Sequence, residues 1–291
     1  MRYLENTIRI TPNKIKISFY DEGPKDAPAI IFIHGFPFNK SMWVRQMEEL
    51  KSNYRVVAYD IRGYGHSDDR SQETSIDLFV NDLILIMDVI RLDKAILCGL
   101  SMGGYIALSA ITKHPERFDA LVLCDTSCMA DTPETKAKRM LTIASIKKNG
   151  TVEYAEEVIN NLFAPEAFTT IETEIAVMKE EIASVPQPIL CKTLFALAGR
   201  KETCNRLSGI KVPVLIMVGS EDKVTPVASA KYMHDKVKGS VLVVLEHAGH
   251  ISNMENHAEF NNQLIKFLNL IRFDPRGQNL LFRSQRYCHS Y

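Results

Sequence analysis

The residues from Ala95 to Ala110 read "AILCGLSMGGYIALSA", which places Ser101 between Gly99 and Gly103 with Gly104 directly after. Alone, GxSxG is a modest signal. Here it joins a strand-like apolar run to a helix-like one, the context of a nucleophile elbow. A turn that tight strains the serine backbone and needs small neighbours, which Gly99 and Gly103 supply. It would lift Ser101 Oγ above the carboxyl end of a sheet and aim the Met102 amide at the same point, from the positive end of a helix. A neutral serine is a poor nucleophile, so the chemistry also needs a base and a group that orients the base. Asp222 in "SEDKVTP" follows the apolar run "VLIMVG", and His250 in "HAGHISNMEN" follows "VLVVLE". The carboxyl ends of parallel strands share one side, so serine, carboxylate and imidazole could converge there. Each partner has a rival, because Asp125 also ends a strand and His247 stands three residues before His250. In "FIHGFPFN" (32–39) a glycine lets the chain turn so that the Phe36 amide faces the same oxygen as Met102. One such donor is worth about 10²- to 10³-fold in rate.

These groups need a scaffold, and the hydrophobic pattern supplies one. "NTIRI" and "KIKISFY" flank Thr11-Pro12-Asn13 as a hairpin. Strands and helices then alternate: a strand at 29–33, a helix at 42–51, a strand at 54–60, and a helix with Phe79, Leu83, Ile86, Met87 and Ile90 on one face. The strand "KAILCG", the helix "MGGYIALSAITKH" and the strand at 120–125 follow. Short apolar strands separated by helices predict an α/β fold with a mostly parallel central sheet and helices on both faces. From Asp125 to the strand "VPVLIMVG" (212–219) every candidate element is helical, with Thr132-Pro133 as a start and Gly150 as a stop. This segment is therefore expected as a helical cap inserted over one end of the sheet. The expected division is a core over 1–126, the cap over 127–209, the second part of the core over 210–273, and a tail over 274–291. The tail has no clear period and reads as frayed, loosely docked or left from cloning.

Composition excludes several classes of partner. Lys plus Arg and Asp plus Glu are equal at 35 each, which removes the electrostatic case for nucleic acid or an anionic membrane surface. There is neither a secretory apolar segment at the start nor a run of 18 apolar residues, so a cytoplasmic protein with a small-molecule partner is expected. The cysteines at 98, 124, 128, 191, 204 and 288 lack CxxC spacing, and buried reduced thiols are expected rather than disulfides or a metal site. "GLSMGG" does not have the order of a dinucleotide fingerprint, and GxxxxGK[ST] is absent.

The segments "HGFP", "DIRGYGHSD", "CGLSMGG", "GSEDKVTP" and "HAGHISNMEN" together resemble the α/β-hydrolase superfamily, over most of the chain before the tail. The resemblance implies the α/β-hydrolase fold, with Ser101 as nucleophile, Asp222 as acid, His250 as base, and Phe36 and Met102 as oxyanion donors. It favours His250 over His247 because Ala248-Gly249 matches the family loop. Asp222 is preferred to Asp125, although some members take their acid from the latter place. Asp60, Arg62, Gly63 and Gly65 match a turn used chiefly for structure, and His34 is expected to support the oxyanion turn. The two strongest likenesses are to small carboxylesterases and 3-oxoadipate enol-lactonases. The cap carries no substrate signature, and His257 stands where a proline is common. Relatives with a carboxylate nucleophile, the haloalkane dehalogenases and epoxide hydrolases, are excluded by the serine at 101.

The reading is a cofactor-free, metal-free serine hydrolase that cleaves a small carboxylic ester, thioester or lactone through an acyl-enzyme. The alternatives are a C–C bond hydrolase or enol-lactonase with the same residues, or a small-molecule receptor that retains them. Phe38, Met140, Ile143, Met178, Leu194 and Phe195 are expected to line an apolar substrate pocket.

Overall fold

Alternating apolar residues pair Asn6–Ile10 (β1) antiparallel with Ile15–Glu22 (β2), with Ile8 opposite Ile17. The computed structural model describes residues 3–10, 14–273 and 279–282. After Ala29–Ile33 (β3), a short 3₁₀ turn over Lys40–Trp43 leads into Val44–Leu50 (α1), where a single helix was expected. Arg55–Tyr59 (β4) follows, then Ile76–Val89 (α2), whose first turn is capped by the Ser75 hydroxyl accepting from the Leu78 amide at 3.1 Å. Ala95–Leu100 (β5), Met102–Lys113 (α3) and Phe118–Cys124 (β6) complete the first half.

Five helices separate β6 from the next strand: Pro133–Asn149 (α4), Thr151–Leu162 (α5), Ala167–Thr170 (α6), Glu172–Ser184 (α7) and Gln187–Ala198 (α8). The boundaries of α4 follow local chemistry. Thr132 caps its start with Pro133 in the first position, and Gly150 at φ 91° ends it. Val214–Gly219 (β7), Val227–Lys236 (α9), Val241–Leu245 (β8), Ser252–Glu255 (α10) and His257–Leu270 (α11) return the chain to the sheet. His257 opens α11, where the Asn256 side chain accepts from the Glu259 amide, so a residue other than proline is accommodated there.

The sheet order is β1-β2-β4-β3-β5-β6-β7-β8, antiparallel at β1, β2 and β4 and parallel from β4 to β8. Every residue of β3 to β7 is buried, which requires cover on both faces. The carboxyl ends of the parallel strands β3, β5, β6, β7 and β8 share one edge of the sheet. No helix among the described residues is long and apolar enough to cross a membrane.

One expectation fails, and one paired segment was unforeseen. Cys128 and Cys204 form a disulfide that joins the start and end of the helical insertion, while Cys98, Cys124 and Cys191 are buried free thiols. The two partners lie 76 residues apart, so sequence spacing carried no sign of their proximity. In the tail, Asn279–Phe282 (β10) pairs antiparallel with Ile271–Phe273 (β9), although no alternation or turn signal marked it. Positions 274–278 and 283–291 lie outside the described residues.

Candidate active site

Ser101 sits between β5 and α3 with φ 53° and ψ −111°, a conformation that costs a non-glycine residue energy and persists only where its surroundings impose it. They do so by close approach. A Cβ on Gly103 would lie 2.1 Å from the Ile33 carbonyl oxygen, and one on Gly99 would lie 2.3 Å from the Gly103 oxygen. The Ser101 amide donates to the Cys124 carbonyl at 2.9 Å, and the Thr126 hydroxyl donates to the Ser101 carbonyl at 2.8 Å. The strained residue is thus pinned on both sides.

The side chains chosen from sequence meet at this point. His250 Nε2 lies 2.8 Å from Ser101 Oγ, and His250 Nδ1 lies 2.8 Å from Asp222 Oδ2. All three are buried. Asp222 Oδ1 also accepts from the amides of Val224 and Thr225, and Oδ2 from the Thr225 hydroxyl. Burial pushes this carboxyl up, but the charge and hydrogen bond of His250 and the Thr225 donors outweigh it and hold the group below its ordinary value. The carboxylate form is the one that can accept the Nδ1 proton.

The rival residues have other occupations. Asp125 is fully buried, with Oδ1 accepting from the Gly219 amide at 2.8 Å and Oδ2 meeting the Ser252 hydroxyl. Burial and the neighbouring Asp222 charge push its carboxyl well up, opposite in direction to the shift at Asp222. His247 is exposed and faces Glu166 across 3.2 Å. In the turn after β3, a Cβ on Gly35 would lie 3.5 Å from Ser101 Cβ, so the turn runs directly over the elbow. His34 is wholly buried behind it; Nδ1 is 2.9 Å from the Gly35 carbonyl and Nε2 accepts from the Ile61 amide at 2.9 Å. Burial depresses this histidine to about 4. Asp60 gathers the amides of Lys40 and His66 and the Lys40 ammonium, which makes the "DIRGYGHSD" turn a structural knot.

A cavity of about 500 Å³ opens above Ser101, reached by Phe36, Met102 and His250 and walled by residues of the helical insertion. Of the residues expected to line it, Leu194 does so. Phe38 is buried in the core and Met178 among the cap helices; Met140 is exposed. Ile143 and Phe195 line a separate outer groove between α4 and α8. Helical periodicity identified apolar faces but not which neighbour each face meets. Tyr105, Tyr154, Val158, Leu162 and Leu197 line the cavity and were missed. Two carried a legible signal: Tyr105 is one helical turn beyond Ser101, and Leu197 is three residues beyond Leu194 on the same helix. Lys138, Arg139, Lys223 and Glu157 bring charge, and Thr135, Thr142 and Asn161 add polar groups, to a cavity that was expected to be apolar.

A family model described as alpha/beta hydrolase fold matches residues 28–257, which takes in the elbow, both partner loops and all five inserted helices. The chain belongs to the α/β-hydrolase family. Among curated relatives of this α/β-hydrolase, 3-oxoadipate enol-lactonase 2 of Acinetobacter baylyi is 28% identical over 254 residues, covering 87% of this chain and 93% of that protein. Among solved structures, a thermophilic esterase from Thermogutta terrifontis with malate bound superposes with a TM-score of 0.86 at 29% identity, over 91% of this chain and 98% of that one. The enol-lactonase from Burkholderia xenovorans superposes with a TM-score of 0.84 at 25% identity, over 91% and 100%. Hydrolase activity is the property these relatives support for the chain.

Proposed function

We propose that this α/β-hydrolase is a serine esterase or lactonase that uses Ser101 as nucleophile, His250 as base and Asp222 as the acid that fixes the histidine tautomer. The supporting observation is the unbroken chain of two 2.8 Å contacts from Ser101 Oγ through the imidazole to Asp222 Oδ2. Ser101 Oγ attacks the substrate carbonyl as His250 Nε2 takes its proton, and the oxyanion is received by the Phe36 and Met102 amides. His250 then protonates the leaving alkoxide. Water, deprotonated by the same histidine, releases the acid and restores the serine. In a lactone the leaving alkoxide stays attached to the acyl group, so one cavity serves both substrate classes. We take 127–209 as the cap that shapes this cavity and 1–126 with 210–273 as the catalytic core.

The test is hydrolysis of p-nitrophenyl esters of increasing acyl length and of simple lactones by the wild type and by Ser101→Ala. Activity that falls by about 10⁴-fold or more in the variant is the expected result. Equal activity in both proteins would remove the serine mechanism.

A further inference from the structure

His250 is held by its backbone as well as by its ring. Its amide donates to the Leu162 carbonyl at 2.8 Å, so the residue read as the base is hydrogen-bonded directly to the helical insertion. The residue before it fits the same place: a Cβ on Gly249 would lie 2.6 Å from the Ala164 nitrogen and 2.9 Å from the Leu162 oxygen. The residue after it is tied through Glu255. Glu255 Oε1 accepts from the Ile251 amide at 3.0 Å, and Oε2 accepts from the Ala164 amide at 2.7 Å. Leu162, at the other end of this seam, lines the cavity above Ser101.

We propose that Glu255 is a positioning residue for His250: its carboxylate bridges Ile251 and Ala164, fastening the base loop to the cap segment 162–164, so that cavity and imidazole move as one unit. The proposal rests on the reading of Ser101, His250 and Asp222 given above. Two amide hydrogens from separate segments converge on one side chain, which only a carboxylate satisfies with both oxygens. A glutamine would accept one of them and turn its own NH₂ toward the other. Burial pushes the Glu255 carboxyl up, against the opposing pull of the Ala164, Gly249 and Ile251 amides. When ionised it sets a negative charge beside the His250 imidazolium, together with Asp222 after β7; Asp125 at the end of β6, whose carboxyl burial pushes up, is the third acidic group there.

The experiment compares wild type, Glu255→Gln, Glu255→Asp and Ser101→Ala on p-nitrophenyl butyrate across the pH range in which histidine titrates. Rates are expressed per serine titrated by a fluorophosphonate, so misfolded protein is not counted. For Glu255→Gln we expect kcat/KM per titrated serine to fall by about 10- to 100-fold, chiefly in kcat, as when a group orienting a histidine is removed elsewhere. Losing the negative charge disfavours imidazolium, so the acid limb of kcat/KM should move to lower pH, and Glu255→Asp should recover part of both effects. If Glu255→Gln matches the wild type per titrated serine and its acid limb stays in place, the proposal is overturned whatever happens to the melting temperature. If the wild type neither hydrolyses the ester nor reacts with the fluorophosphonate at Ser101, the reading of the site fails first and the proposal with it.

Discussion

At the residue scale, the two buried aspartates at neighbouring strand ends differ by their partners. Asp222 lies 2.8 Å from His250 Nδ1, which holds its carboxyl below the ordinary value, whereas Asp125 is tied to Gly219 and Ser252 and burial pushes its carboxyl well up. Asparagine at 222 cannot accept the Nδ1 proton as a carboxylate does and lets the imidazole adopt the wrong tautomer, so kcat in Asp222→Asn should fall by about 10⁴-fold. Asparagine at 125 can still accept from the Gly219 amide and meet the Ser252 hydroxyl with its NH₂, and it does not touch His250, so Asp125→Asn should stay within about tenfold of wild type. Steady-state kinetics of both variants check this; the reverse order would exchange the two roles. The sequence carried both candidates and both histidines, since each ends a strand on the same edge. What it could not carry was the environment of each, because burial and the reach of Thr225 and Ser252 are set by packing.

At the element scale, His34 links the turn after β3 to Ile61, two residues past the end of β4, through the Gly35 carbonyl and the Ile61 amide. The Ile61 contact needs the neutral ring, because Nε2 must accept there, whereas Nδ1–H donates to the Gly35 carbonyl in either form. Its folded value of about 4 lies below the ordinary 6.5, so between those pH values the unfolded chain binds the extra proton. This residue's contribution to stability is therefore complete above about 6.5 and is lost as pH falls toward about 4. Urea unfolding midpoints measured against pH should fall more steeply for wild type than for His34→Gln over that window. Parallel curves would contradict the assignment. β3, β5, β6 and β7 were legible as short unbroken apolar runs, buried on both faces, and α2 because its apolar residues recur at helical spacing on one face. The cap helices were legible as helices only. Met178 and Phe195 sit on apolar positions like Leu194, yet one is buried among the cap helices, one faces solvent and one reaches the cavity.

At the scale of the whole molecule, the helical insertion is fastened to the core along several sides. Lys192 of α8 pairs with Asp69, Arg45 of α1 pairs with Glu174 of α7, and Ser41 donates to Glu181 at 3.1 Å. At its neck, the Cys128–Cys204 disulfide lies beside buried Asp131, which pairs with Arg139 and Arg200. Arg139 borders the cavity, and Arg200 lies 4.3 Å over the ring of Tyr105, another cavity wall. Closing a loop of this length removes unfolded-state freedom worth about 2–4 kcal/mol, so Cys128→Ser with Cys204→Ser should lower the melting temperature by several degrees. An unchanged melting temperature would contradict a formed disulfide. Long-range closures of this kind depend on where five helices fold back, and no local pattern records it.

The central claim is that an acyl group is carried on Ser101. The most direct measurement is mass spectrometry of the protein quenched during turnover of an ester whose deacylation is slow, with peptide mapping of the label. The expected result is one acyl group per chain on the peptide containing Ser101, absent from Ser101→Ala. Continued hydrolysis with an unmodified Ser101 peptide, or with the acyl group on another residue, would contradict it.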